Sequence, residues 1–513
     1  MMKRLNNIQY ILVLIALFVF AGCSDFMDQP VKGKQVLSNY FSNEDECVKA
    51  ISGCYASLSP EDWWENDYFY LVGDICSDDA FKGNSIEGDQ RDFGELARFN
   101  ITPQNEWLEI KYRYSYEQVY RTNLVIENVP NAPISDELKQ ELVAEAHFLR
   151  AFGYFELVKN FGGVPKIITP LTVNDPKQPR ASEAEIWQLI ESDLKIAIEG
   201  LQQKSDQSAA ELGRATKGAA QAYLVKAYVF QGKWNDAELL AEHLITDGEY
   251  NLSDPFDQVW NINNPNGNGS IFEIQNNYHE LYDAGNALPA VTGSRADGGW
   301  GFCTPSSHLD NFMSGDPRRN STIIKHGDYV DDEHPEFDTS LSENETGRTN
   351  RKYWLALSDR AAQEEHKRAP LNHILMRYAD LLLLHAEAAW HNNNYSDALV
   401  SINLVRSRVV LDPVNSSGDQ LLIDIYNERR IELAMEGHRY YDLKRQQGIE
   451  QSQYPRIKEV MESFVAYNMG SNSDYDSGND KGILFDVNKH TLFPIPQIEI
   501  DLSEGIIVQN PNY

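Results

Sequence analysis

The residues of this chain best suited to chemistry at a surface are aromatic side chains set among polar ones, in stretches without helical period. Trp63 and Trp64 are adjacent, flanked by Glu61, Asp62, Glu65, Asn66 and Asp67, with Tyr68 and Tyr70 close behind. Neighbouring residues point to opposite faces of a strand and lie about 100° apart on a helix, so one of the two rings is expected to leave the core. Trp300 stands among Gly298, Gly299 and Gly301, where either the missing side chains admit a flat ligand or the glycines simply form a turn. Tyr278, Tyr282, Asp78, Asp79 and Arg91 complete the set. Aromatic rings stack on the flat C–H faces of sugars while Asp and Arg pair with hydroxyls, so Trp63, Trp64, Tyr68, Asp78, Asp79, Arg91, Tyr278, Tyr282 and Trp300 form the candidate ligand site. For the Trp pair, loop packing or contact with a partner protein is the competing role. For Asp78, Asp79 and Arg91 it is an ordinary solvated loop position.

Contexts for catalysis are thin. His279-Glu280 lacks a second histidine four residues on, and the run from Gly83 to Gly88 is one residue too long for a nucleophile elbow. Asp474 to Asp480 loosely echoes a calcium loop, but its glycine comes one position early and Phe485 stands where the bidentate Glu belongs, so a flexible acidic loop is expected. Cys47, Cys54, Cys76 and Cys303 form no C-x-x-C pair; Cys47 and Cys54, seven apart, read as buried apolar thiols on one helix face. The expectation is no catalytic residue, no metal and no cofactor. A glycoside hydrolase with two carboxylates is the enzyme reading that this weighs against.

Charge narrows the partners. With 45 basic and 77 acidic side chains the formal charge is −32, which repels a phosphate backbone and favours neutral ligands, so no nucleic-acid partner is expected. Lys3 and Arg4 precede an apolar run from Ile11 to Phe20 that is too short to span a bilayer, which reads as a signal peptide over residues 1–22. Ala21-Gly22-Cys23 follows, and small residues before a cysteine suit cleavage and lipidation at Cys23, although Phe20 stands where Leu is commonest. Membrane attachment is therefore expected through acyl chains on Cys23.

These side chains must be positioned by a scaffold, and an internal repeat indicates which. Lys226 to Ala237 aligns without a gap on Glu387 to Ala398, placing Gly232 over Asn393, Trp234 over Tyr395 and Ala237 over Ala398. Each reads as a helix end, a turn in the left-handed region and a new helix, the pattern of a tetratricopeptide hairpin. Further helices are expected over about 135–160, 183–198, 215–230 and 421–445. Trp187, Trp234 and Trp390 fall on these and are assigned to the core; Trp107, ahead of another helix, stays open. Residues 251–370 and 60–105 read instead as long loops with short strands, and they carry Trp260 and Trp354 besides the candidates above. The fold class is mainly α, a tetratricopeptide-like helical scaffold with long loop-rich insertions and short strands.

Several ordered motifs resemble the SusD/RagB family across residues 23–513. They are Ala144 to Ala151 leading to Phe161-Gly162-Gly163-Val164-Pro165, Ile374 to Ala388, Asn427 to Arg445, and the closing Pro494-Ile495-Pro496 with Gln509 to Tyr513. The resemblance implies one SusD-like domain, with an N-terminal part over 23–250, an insertion over 251–370 and a C-terminal part over 371–513. It also implies a non-catalytic glycan-binding lipoprotein of the outer membrane, facing outward, that partners a SusC-like TonB-dependent transporter. Ligand contacts in such proteins lie in variable loops, so Glu428, Arg429, Arg430, Glu432, Arg439 and Asp442 are expected to be structural, paired locally on an amphipathic helix. A peptide-binding member of the same family and a tetratricopeptide scaffold for protein partners remain the alternatives.

Overall fold

The computed structural model describes residues 40–59, 70–83, 89–278, 285–339, 346–360, 368–448, 457–468 and 482–513. Ten helices carry the frame: α1 (Glu44–Ala56), α2 (Glu106–Asn128), α3 (Asp136–Phe161), α4 (Glu183–Gly200), α5 (Lys217–Phe230), α6 (Trp234–Asp247), α7 (Tyr378–His391), α8 (Tyr395–Arg408), α9 (Asp419–Glu432) and α10 (Arg439–Gly448). Side-chain caps start many of them. Asn105, Ser135 and Thr216 each accept a backbone N–H of the first turn, and Ser182 forms a capping box with Glu185. Each helix packs on its sequence neighbour from α2 through α6, and α6 then packs on α7, which in turn meets α8 and α9. Among the described residues no helix is long and apolar enough to cross a membrane.

The two hairpins expected from the repeat are present and superimpose in detail. Gly232 and Asn393 both lie at positive φ, 69° and 66°. In the first, Gly232 N–H donates to Val229 O and Lys233 N–H to Tyr228 O; in the second, Asn393 donates to Trp390 O and Asn394 to Ala389 O. Ala237 and Ala398 are fully buried where the helices touch. Trp234 and Trp390 are only half-buried, a correction to their assignment as core. They plug the hairpin ends: Trp234 stacks on His391 with 3.9 Å between ring centroids, and Trp390 Nε1 donates to Gly418 O.

Between α6 and α7 the chain leaves the stack and returns through one antiparallel pair, β2 (Ser270–Ile274) against β6 (His373–Arg377). The excursion also holds β4 (Ile323–Lys325) paired with β5 (Arg348–Asn350), and β3 (Thr304–Pro305), whose partner β1 (Ala80–Phe81) comes from the N-terminal part of the chain. Short strands in long loops match the expectation for 251–370. Residues 60–105 are less irregular than expected, because Arg91–Arg98 is helical with Phe93, Leu96 and Ala97 turned into the core.

The expected helix over 421–445 is two helices. Met435 and Gly437 take positive φ, 64° and 78°, and break it between Glu432 and Arg439. Cations satisfy the freed carbonyl at the end of α9, where Lys352 Nζ and Arg377 Nη2 donate to Glu432 O. Apart from Asp442 with Arg445, the charges of this segment pair with residues distant in sequence rather than at i,i+4. Glu432, fully buried, meets Arg377, Arg408 and Arg318, and Glu428 meets Arg318 at 2.5 Å and Arg406 at 2.8 Å. Arg429 joins Asp380 and Asp442, Arg445 joins Glu387 and Asp442, and Lys226 also reaches Asp380 at 3.0 Å. Burial alone would raise the Glu432 carboxyl, but Arg408, Arg377 and Arg318 outweigh it and hold the group well below the carboxylate range.

Removing one member of such a network strands the others in a medium of low polarizability. Glu432→Ala is expected to destabilise the fold by about 3–5 kcal/mol in denaturant unfolding. Asp45→Ala, which breaks only the exposed pair with Lys49, should leave the midpoint where it was.

Candidate ligand-binding cleft

A broad concavity opens where α1 ends, with a volume of about 770 Å³. One wall is a charged stripe on α2, Arg113, Glu117 and Arg121, spaced four apart so that they share a face. The others are the end of α1 with Ser57–Ser59, the turn at Leu212–Arg214, and Glu273 to Gln275 at the end of β2. Arg121 Nη1 donates to Gly53 O at 2.7 Å and its Nη2 pairs with Glu117 at 2.5 Å, which fixes the stripe against α1. Arg113 lies over the Tyr114 ring, 4.5 Å from its centroid.

The floor of the cleft is a triad centred on the buried Glu145. Tyr55 Oη donates to Glu145 Oε2 at 2.5 Å, Arg214 Nη1 contacts both Glu145 oxygens at 2.8 and 3.0 Å, and the Ala215 N–H donates to Tyr55 Oη. Burial pushes the Glu145 carboxyl up to about 7, outweighing the attraction of Arg214. Arg214, only partly buried, pays less desolvation and has its own pKa raised by the same pair. The triad joins α1, α3 and the lead into α5. It ties these three segments together under the cleft.

The sequence candidates are dispersed. Asp78 and Asp79 are not solvated loop positions but fully buried. Asp78 pairs with Arg430 and Arg439 at 2.8 and 2.9 Å, and Asp79 pairs with Arg430 at 2.6 Å. This corrects their candidacy, since guanidinium partners already occupy them. Arg91 opens the helix Arg91–Arg98, exposed and paired with Glu95 one turn on.

The alternatives at Trp300 resolve towards a turn. Gly299 abuts Gly293, whose carbonyl carbon a Cβ there would meet at 2.3 Å, and the Trp300 N–H donates to Ala290 O. The half-buried Trp300 ring packs against the core. Tyr278 is half-buried, three residues beyond Gln275 of the cleft wall. Trp63, Trp64, Tyr68 and Tyr282, like Cys23, lie outside the described residues.

Trp107 and Trp260 are core residues, the latter under Lys352 at 4.4 Å, and Trp354 donates Nε1 to Asp297 in a small satellite cluster. The cleft residues Tyr55, Arg113, Glu117, Arg121 and Arg214 carried no sequence signal beyond four-residue spacing on α2, which reads equally as a solvated face.

The sign of the Glu145 linkage is testable. Its folded pKa lies above the unfolded value, so its contribution to stability is full below about pH 4.5 and is lost as pH rises to about 7. Compared by denaturant unfolding across that window, the native chain should lose about 2–3 kcal/mol relative to Glu145→Gln. A gap that stays constant with pH would place the carboxyl in its ordinary range.

The comparisons with known proteins agree with this architecture. A model described as the SusD family matches residues 245–513, and one described as starch-binding associating with outer membrane matches residues 64–229. SusD-like protein P2 of Formosa agariphila is 27% identical over 98% of this chain and 98% of its own, and a SusD-like protein of Bacteroides ovatus is 26% identical over 86% and 83%. Among solved structures, a laminarin-binding SusD-like protein superposes with a TM-score of 0.75 at 26% identity, covering 92% of this chain and 100% of that one. Surface glycan-binding protein A from Bacteroides fluxus does so with 0.74 at 25%, over 92% and 100%. With the second hairpin and the buried charge motif inside a match that spans more than half its length, the chain belongs to the SusD family.

Proposed function

We propose that this chain is a non-catalytic, cell-surface glycan-binding lipoprotein that captures oligo- or polysaccharide and hands it to a SusC-like TonB-dependent transporter of the outer membrane. The observation that carries the reading is the cleft at the end of α1. Its rim presents Arg113, Arg121, Glu117 and Gln275, donors and acceptors suited to vicinal hydroxyls, and the half-buried Tyr55 supplies ring surface. Ser59, on the same rim, leads directly into the segment with Trp63, Trp64 and Tyr68, and Gln275 leads through Tyr278 to Tyr282. Both stretches are rich in aromatic side chains, the residue type that stacks on sugar rings. The laminarin-binding relative supports a glycan over a peptide, and the description of the 64–229 match supports the outer membrane. Lipid attached at Cys23, after loss of residues 1–22, is the proposed anchor.

The transporter would need an apolar face. A second groove, of about 460 Å³, runs between the 165–178 loop and the C-terminal segment. Around it Tyr120, Val173 and Leu502 expose large apolar surface on a protein whose charge is otherwise strongly negative. Lys177 holds its two sides together by donating to Leu502 O.

Calorimetry of the soluble chain from Ser24 onward against a panel of β-glucans, α-glucans and peptides tests the ligand. Saturable binding to one glycan, weakened at least about tenfold by Arg113→Ala with Arg121→Ala and by Trp63→Ala or Trp64→Ala, is expected. Binding to peptides alone would move the chain to peptide uptake, and hydrolysis of the glycan would make it an enzyme. For the second face, Val173→Asp with Leu502→Asp should abolish co-purification with a co-expressed SusC-like transporter while leaving glycan affinity unchanged. Retained co-purification would place the contact elsewhere.

A further inference from the structure

Where the two hairpins meet, Glu238 and Glu242 of α6 and His385 of α7 bring ligand atoms within 4.8 Å of one another. The two glutamates are one turn apart and share a face. Glu238 is buried and held by the side-chain amides of Asn392 and Asn394, the residues that turn the second hairpin. His385 is 4% exposed; its Nδ1 is hydrogen-bonded to Ser401 Oγ at 2.8 Å, while Nε2 is buried without a partner. In the tautomer in which Nδ1 donates to Ser401 Oγ, Nε2 presents its lone pair to the two carboxylates. Asp397 adds to the negative field at Glu242, and among the described residues no Lys or Arg pairs with Glu238 or Glu242. A buried imidazole nitrogen without a partner thus faces two converging carboxylates.

We propose that Glu238, Glu242 and His385 form a divalent transition-metal site, with zinc as the fitting ion, that ties the first hairpin to the second. The donor set argues for the class of ion: one imidazole nitrogen with carboxylate oxygens suits zinc and its neighbours, whereas calcium and magnesium take oxygen alone. Ser401 on Nδ1 and the two asparagines on Glu238 play the orienting part that hydrogen-bond partners play around metal ligands. The site is a clamp because its ligands come from α6 and α7, helices separated in sequence by the whole excursion. It does not depend on the glycan reading.

The chelator-stripped chain from Ser24 onward, in excess Ca²⁺ to saturate weak acidic surface sites, is titrated with ZnCl2 by calorimetry and followed by thermal unfolding. One equivalent of zinc should bind and raise Tm, and Co²⁺ in its place should give a visible d–d band. Glu242→Gln, at a half-buried position, and His385→Asn should each weaken binding at least about tenfold and abolish the band. Glycan affinity of Glu242→Gln should match that of the native chain. Absence of zinc binding above the Ca²⁺ background, or zinc binding and a cobalt band that survive Glu242→Gln, overturns the proposal.

Discussion

Taking a guanidinium or carboxylate out of water costs several kcal/mol, and only a partner that arrives with it offsets the loss. This chain places Glu428, Arg429, Arg430, Glu432 and Arg445 in its interior, and everything else has to come to them. Asp78 and Asp79 arrive from the N-terminal third, Arg318 and Lys352 from the excursion, Arg377 and Asp380 from the junction of β6 with α7, and Arg408 from α8. Each such pair is a long-range constraint that a loop of any sequence must respect at its base. The network therefore fixes where the loops begin and end while leaving their outer portions unconstrained.

The helical frame was readable because its signals are local. Small residues, a residue tolerant of positive φ and an aromatic plug fall in one order within a dozen positions, and the hydrogen bonds at Gly232 and Asn393 repeat each other as the alignment requires. The charged segment after Asn427 was misread for the same reason. Spacing of three and four reveals neighbours along a helix, whereas the partner of Arg430 lies 351 residues away. Nor does periodicity reveal that Met435 and Gly437 break the run, because the break is stabilised by Lys352 and Arg377, which no local window contains.

The candidate site was legible only in part, and the reason is again distance. Composition marked the aromatic loops but could not distinguish a polar residue free in solvent from one consumed by burial, as Asp78 and Asp79 are. The cleft is assembled from four segments between Ser52 and Gln275, and its ordinary residues acquire meaning only side by side. The same holds for Glu238, Glu242 and His385, whose joint chemistry depends on the packing of α6 on α7.

The antiparallel pair of β2 and β6 has a consequence for how such a protein can diversify. Its two strands are the gate through which about a hundred residues depart and return, and the closure entropy of such an excursion grows only logarithmically, by about 0.6 kcal/mol for each doubling of length. Insertions and deletions beyond the gate are therefore nearly invisible to the helical stack, provided that inward anchors such as Arg318 and Lys352 are kept. Natural selection can treat the excursion as an exchangeable cartridge, altering what the surface recognises while inheriting the frame unchanged.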